Sequence, residues 1–79
     1  MEEKAREIIE SVCETDEIFE DCDMDLIEEG YLDSLGVLSI ILKIDETFNK
    51  RLSPADINRE DISTVNNFIA FITKITHKL

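Results

Sequence analysis

Residues 30–40 read GYLDSLGVLSI. A glycine and a tyrosine precede an Asp-Ser pair, and a nearly uninterrupted apolar run follows. Asp33 and Ser34 both suit a helix N-terminus, where a side-chain oxygen can accept a bond from an N–H that the helix leaves free. A helix is therefore expected from about Ser34 to Asn49, with Leu32 and Val37 forming a hydrophobic staple across its start. At about 100° per residue, Val37, Ile40, Ile41, Ile44 and Phe48 gather on one stripe, the expected core face. Leu35, Leu38 and Leu42 gather on a second stripe roughly 110° further round, bordered by Asp45, Glu46 and Asn49. One helix of a small bundle does not easily bury both. Either a neighbouring loop covers the second stripe or it is a docking surface beside Ser34.

Working outward, residues 2–15 carry Ala5, Ile8, Ile9, Val12 and Cys13 at helical spacing, with acids mostly elsewhere, which predicts a first amphipathic helix. Residues 16–33 form a long acidic connection pegged by Ile18, Phe19, Met24, Leu26, Ile27, Tyr31 and Leu32. Connections this long inside a small domain are usually functional. Asp21, Asp23 and Asp25 begin like a calcium-binding loop, but Leu26 stands where the turn needs glycine and Leu32 where a bidentate Glu belongs. On the other side, Ser53-Pro54 has the form of an N-cap followed by proline at the first helical position, and Asn58 can cap a further turn through Ile62. A last helix is expected from Ser63 or Thr64 to about His77, with Val65, Phe68, Ile69, Ile72 and Ile75 buried. The fold class is all-α: three main helices plus one short one, with the long loop between the first two.

The net charge is −11, and ten of the nineteen acids lie within residues 14–33, where no Lys or Arg occurs. Such a patch repels nucleic-acid phosphates and anionic lipid while attracting basic protein surfaces; it also serves solubility. The longest uncharged stretch, Ile62 to Thr73, is far short of the roughly 20 residues that span a bilayer. The opening MEEKAREIIE is charged and reads as helix rather than as a leader, so a cytoplasmic monomer with two free thiols, Cys13 and Cys22, is expected. Cys13 falls on the apolar stripe and is expected to be buried; Cys22 is expected to be accessible.

The motifs of catalysis are missing. No glycine-rich phosphate loop, GxSxG elbow, CxxC pair or HExxH occurs, and His77, the single histidine, falls in the expected last helical turn. A serine hydrolase built on Ser34 and Asp33 has no base to take the hydroxyl proton. These absences weigh against an enzyme.

The segment LDSLGVLSIILKIDETF, preceded by DLIEEGY and followed by the STV that opens the last helix, resembles the acyl carrier protein family, and the resemblance runs over nearly the whole chain. It implies an acyl-carrier-like four-helix bundle, with residues 1–79 as one carrier domain. It also implies that a phosphopantetheinyl transferase moves 4′-phosphopantetheine from coenzyme A onto Ser34, with Asp33 supporting the transferase's metal site. Leu35, Leu38, Leu42, Asp45 and Glu46 would then face partner enzymes: the transferase, an acyl- or aminoacyl-activating ligase, and downstream acyltransferases. No nucleic acid, membrane insertion or metal is implied. Physics agrees with a phosphodiester at this position, since free N–H groups and the positive end of the helix dipole favour it by about 0.3–1 kcal/mol.

One departure bears on the cargo. Fatty-acid carriers typically have an acid two residues after the serine and more along the second helix, whereas here position 36 is Gly and the helix offers only Asp45 and Glu46. D-S-L-G together with ADINRED looks more like the D-alanyl carrier proteins of Gram-positive wall (teichoic acid) modification. D-alanine is thus the expected cargo, with a fatty acyl or polyketide intermediate as the alternative. An interaction module that has kept the fold without the arm is the competing class. Large residues expected in the interior, Ile41, Ile44, Phe48, Phe68 and Ile72, leave little room for a long acyl chain.

Overall fold

The computed structural model describes residues 2–76, so His77 lies outside the described residues. Helix α1 spans Glu2–Cys13, α2 Ser34–Phe48 and α3 Val65–Thr76, with 3-10 turns at Glu17–Glu20, Pro54–Asp56 and Arg59–Ile62. The fourth, short helix expected from Ser53-Pro54 is thus a 3-10 turn, and a second such turn follows it. Each is closed by an acid reaching back: Asp56 accepts from the Ser53 N–H at 2.9 Å, and Asp61 from the Asn58 N–H at 2.9 Å.

Helix α1 lays Ala5, Ile8, Ile9 and Cys13 into the core and packs against both α2 and α3. It ends two residues before the expected boundary at 15, because Glu14 turns into the left-handed region (φ 61°) while its N–H still reaches the Glu10 carbonyl at 2.7 Å. A non-glycine residue pays roughly 1–2 kcal/mol for that conformation. Burial of Ile18, fully enclosed in the next turn, contributes about 1.5–3 kcal/mol and offsets it.

The acidic loop is ordered by its own aspartates. Asp25 Oδ1 accepts from the N–H groups of Ile27 and Glu28, both at 3.0 Å, and Asp21 Oδ1 accepts from Asp23 at 3.1 Å. Leu26, fully buried, anchors the centre, and its carbonyl accepts from Tyr31 at 2.8 Å and Leu32 at 3.1 Å. That return path requires Gly30, whose φ is 87°. The loop is pinned to the start of α3 by Leu26 N–H to the Ser63 carbonyl (2.6 Å), Asn66 N–H to the Cys22 carbonyl (3.1 Å) and Asn66 Nδ2 to Asp23 Oδ1 (2.8 Å).

In α2, Ile40 and Ile44 are fully buried, whereas Val37, Ile41 and Phe48, expected beside them, are half-buried at the margin of the core. With α1 as the main helix packed against it and only the Pro54–Asp56 turn besides, the face of α2 that loses contact with water is narrower than the apolar stripe. The helix ends at Phe48 because Asn49 takes the left-handed conformation (φ 56°), its N–H bonded to the Asp45 carbonyl at 2.9 Å. In α3, Thr64 is the cap, its Oγ1 accepting from the Asn67 N–H at 3.0 Å. Val65, Phe68, Phe71 and Ile72 are buried, and Ile69 and Ile75 are half-buried. Phe71 joins the core beyond the expected set.

Candidate functional site

Ser34 is the first residue of α2 and is exposed. Asp33 precedes it in extended conformation (φ −140°, ψ −169°), and its Oδ1 accepts from the Gly36 N–H at 3.0 Å while its carbonyl accepts from Val37 at 3.1 Å. So Asp33, not Ser34, caps the helix. The serine hydroxyl is left out of the capping bonds and faces solvent, on a backbone fixed from both sides. Among the described residues, the N–H groups of Ser34 and Leu35 make no hydrogen bond.

Gly36 explains how closely this corner is packed. A Cβ there would lie 2.8 Å from Leu32 Cδ2 and 3.4 Å from Val12 Cγ1. The first turn of α2 is pressed against α1 and the end of the loop, so a side chain at position 36 would require the Leu32 methyl to shift.

Beside Ser34 opens a groove of about 760 Å³, between the start of α2 (Ser34, Val37, Leu38) and the 3-10 turns (Ile57, Arg59, Ile62). Its walls are mainly aliphatic, and Asp33 and Arg59 are the charged side chains lining it. On the outer side of α2, Leu35, Leu38 and Leu42 are 73%, 49% and 62% exposed. Among the described residues no loop covers the second stripe. Glu46 is exposed at its edge, and Asp45 lies 3.9 Å from Arg51 Nε in a solvent-exposed contact.

The structure thus brings Asp33, Ser34, Leu35 and Leu38 together at one end of α2, with Leu42, Asp45 and Glu46 further along it. In the sequence Arg59 is one basic residue in a short mixed-charge run; only the fold brings it to the same groove as Ser34. The two thiols are both free. Cys13 is buried, which pushes its thiol up to about 11 and makes it a packing group. Cys22 is half-buried, its Sγ 3.7 Å from the Phe19 carbonyl.

Residues 3–72 match the family described as phosphopantetheine attachment site. The chain belongs to this family: it is a carrier protein with covalently attached 4′-phosphopantetheine, and an exposed hydroxyl beside a roomy apolar groove fits that group. Among its relatives are D-alanyl carrier proteins. That of Lactococcus lactis subsp. cremoris (strain MG1363) is 41% identical over 76 residues, 96% of each chain. That of Lactococcus lactis subsp. lactis (strain IL1403) is 44% identical over 70 residues, 89% of each. The protein of Abiotrophia defectiva is 34% identical over 74 residues, 94% of each. Among the described residues no helix is long and apolar enough to cross a membrane.

Proposed function

We propose that Ser34 bears the phosphopantetheine arm and that the chain, as one carrier domain, presents D-alanine on it to partner enzymes. The observation that carries this reading is the exposed hydroxyl of Ser34 at a helix start capped by its neighbour Asp33. In the loading reaction the serine oxygen bonds the β-phosphorus of coenzyme A, adenosine 3′,5′-bisphosphate leaves, and the serine proton passes to the transferase. Asp33 supports that step from the adjacent position, where its carboxylate would assist the transferase's metal site. The arm, once present, supplies a thiol that holds the cargo as a thioester.

The protein is the handle and not the catalyst. Leu35, Leu38 and Leu42 give partners an apolar contact strip, with Asp45 and Glu46 as its polar border. The partners are a phosphopantetheinyl transferase, a D-alanine-activating ligase and a downstream acyltransferase. The chain acts as a cytoplasmic monomer, without nucleic acid and without entering a membrane. D-alanine as cargo is supported by the names of the relatives and by Gly36, which stands where a fatty-acid carrier has an acid.

The test is incubation with coenzyme A and a broad-range transferase, followed by intact mass. The parent chain gains the arm and Ser34→Ala does not; gain by the variant, or none by the parent, ends the reading. The loaded protein is then offered to a D-alanine-activating ligase and, separately, to a malonyl transferase. Malonyl loading without D-alanyl loading would replace the cargo and leave the carrier role standing.

A further inference from the structure

We infer that Arg59 is a positioning residue for the arm: from the wall of the groove facing Ser34 it pairs with the phosphodiester and holds the arm's first segment along the groove. This rests on the assignment of the arm to Ser34.

Three observations converge on it. First, Ser34 and Arg59 line the same groove, one on α2 and one on the turn Arg59–Ile62. Second, Arg59 is exposed and makes no ion pair or side-chain hydrogen bond among the described residues, although acids outnumber bases 19 to 8 in this chain. Its nearest acids in sequence are otherwise engaged or displaced: Asp61 Oδ2 accepts from the Asn58 N–H at 2.9 Å, and Glu60 lines a different pocket with Asn67 and Lys74. Third, the backbone presenting Arg59 is tied by the Asn58–Asp61 bond before it and by Ile62, 3% exposed, after it.

Charge complementarity then selects the occupant. A phosphodiester bears one negative charge, and Asp33, the other charged residue of the groove, lies beside its attachment point and repels it. A guanidinium on the part of the wall formed by the Arg59–Ile62 turn draws the phosphate away from Asp33 and into the groove, through charge-assisted N–H···O bonds. The apolar walls, Val37, Leu38 and Ile57, then meet the arm's gem-dimethyl and methylene groups. The same cation disfavours the α-ammonium of an aminoacyl cargo in the groove, which leaves that end of the arm outside for transfer.

The experiment compares apo and loaded forms of the parent, Arg59→Gln and Arg59→Lys, each loaded to completion as judged by intact mass. Readouts are the Arg59 Nε–Hε resonance, the ³¹P resonance, and contacts between the arm's methyl protons and Ile57. On loading, the parent's Nε–Hε signal shifts and its hydrogen exchange slows. Arg59→Gln moves the ³¹P signal and weakens the arm–Ile57 contacts by about two- to fivefold, the range of an exposed ion pair; Arg59→Lys restores part of the effect. An Nε–Hε signal identical in apo and loaded parent, with a ³¹P signal indifferent to Arg59→Gln, overturns the inference while the Ser34 assignment stands. Failure of the parent to gain the arm's mass overturns both.

Discussion

The Leu32 side chain lies across Gly36 so closely that a Cβ at position 36 would sit 2.8 Å from Leu32 Cδ2. Leu32 is itself only 4% exposed, but it also lines the groove beside Ser34, so a Cβ at position 36 would have to push its methyl toward that groove. In an open helix, Gly to Ala gains up to about 1 kcal/mol from propensity. Here overpacking, typically about 1–3 kcal/mol, outweighs it. Gly36→Ala is expected to lower stability by about 1 kcal/mol in urea unfolding, and in a Leu32→Ala background the same change is expected to be neutral or favourable. Stabilisation of the parent by Gly36→Ala would show that this corner is loosely packed.

Asp33 caps α2 and, under the proposed function, also supports loading. Asp33→Ala removes the acceptor for the Gly36 N–H and is expected to cost about 1 kcal/mol. Asp33→Asn keeps an acceptor oxygen and most of that stability. Both variants lack the carboxylate and are expected to be loaded more slowly by the transferase. Equal loading rates for Asp33→Asn and the parent would confine Asp33 to capping.

Thiol reagents at pH 8 are expected to modify Cys22 well before Cys13, because Cys13 is buried and its thiol is pushed up to about 11. The sign for stability follows. The unfolded thiol ionises near 9.0 while the folded one keeps its proton, so the folded state binds more protons between these values and stability falls as pH rises from 9 to about 11. Cys13→Ala removes this part of the alkaline decline. Equal fast labelling of both cysteines contradicts the packing of α1 described above.

Leu38 is 49% exposed and is shared by the apolar strip and the groove. Leu38→Ala is expected to lower kcat/KM for loading by about tenfold, roughly 1.4 kcal/mol, with an unchanged helical signal. Glu46→Gln is expected to change it less than about twofold, as for a rim charge. A steep fall of partner binding with salt, combined with no effect of Leu38→Ala, would reverse this ranking.

What was legible in the chain was whatever chemistry is local. The Asp-Ser start of α2 could be read because capping acts within three residues, and the separate leucine stripe because helical geometry sets 35, 38 and 42 apart from 40 and 44; that no loop covers it took the fold to show. The end of α1 could not, since Glu14 enters a left-handed turn without the glycine that usually marks one. Nor could Phe71, which sits outside the stripe expected for α3 and is enclosed all the same. Arg59 was illegible for the same reason as the groove: both exist only once residues 54–62 fold back beside α2.

The bonds between residues 22–26 and 63–66 have a consequence for motion. Leu26 and Asn66 donate their amide protons across the gap between the loop and α3. The loop runs on from Leu26 to Asp33 and Ser34, and the turn carrying Arg59 runs into Ser63. Both sides of the groove are therefore moored to the same pair of backbone bonds. The amides of Leu26 and Asn66 are therefore expected to belong to one cooperative unfolding unit and to exchange with solvent together, which hydrogen exchange would show.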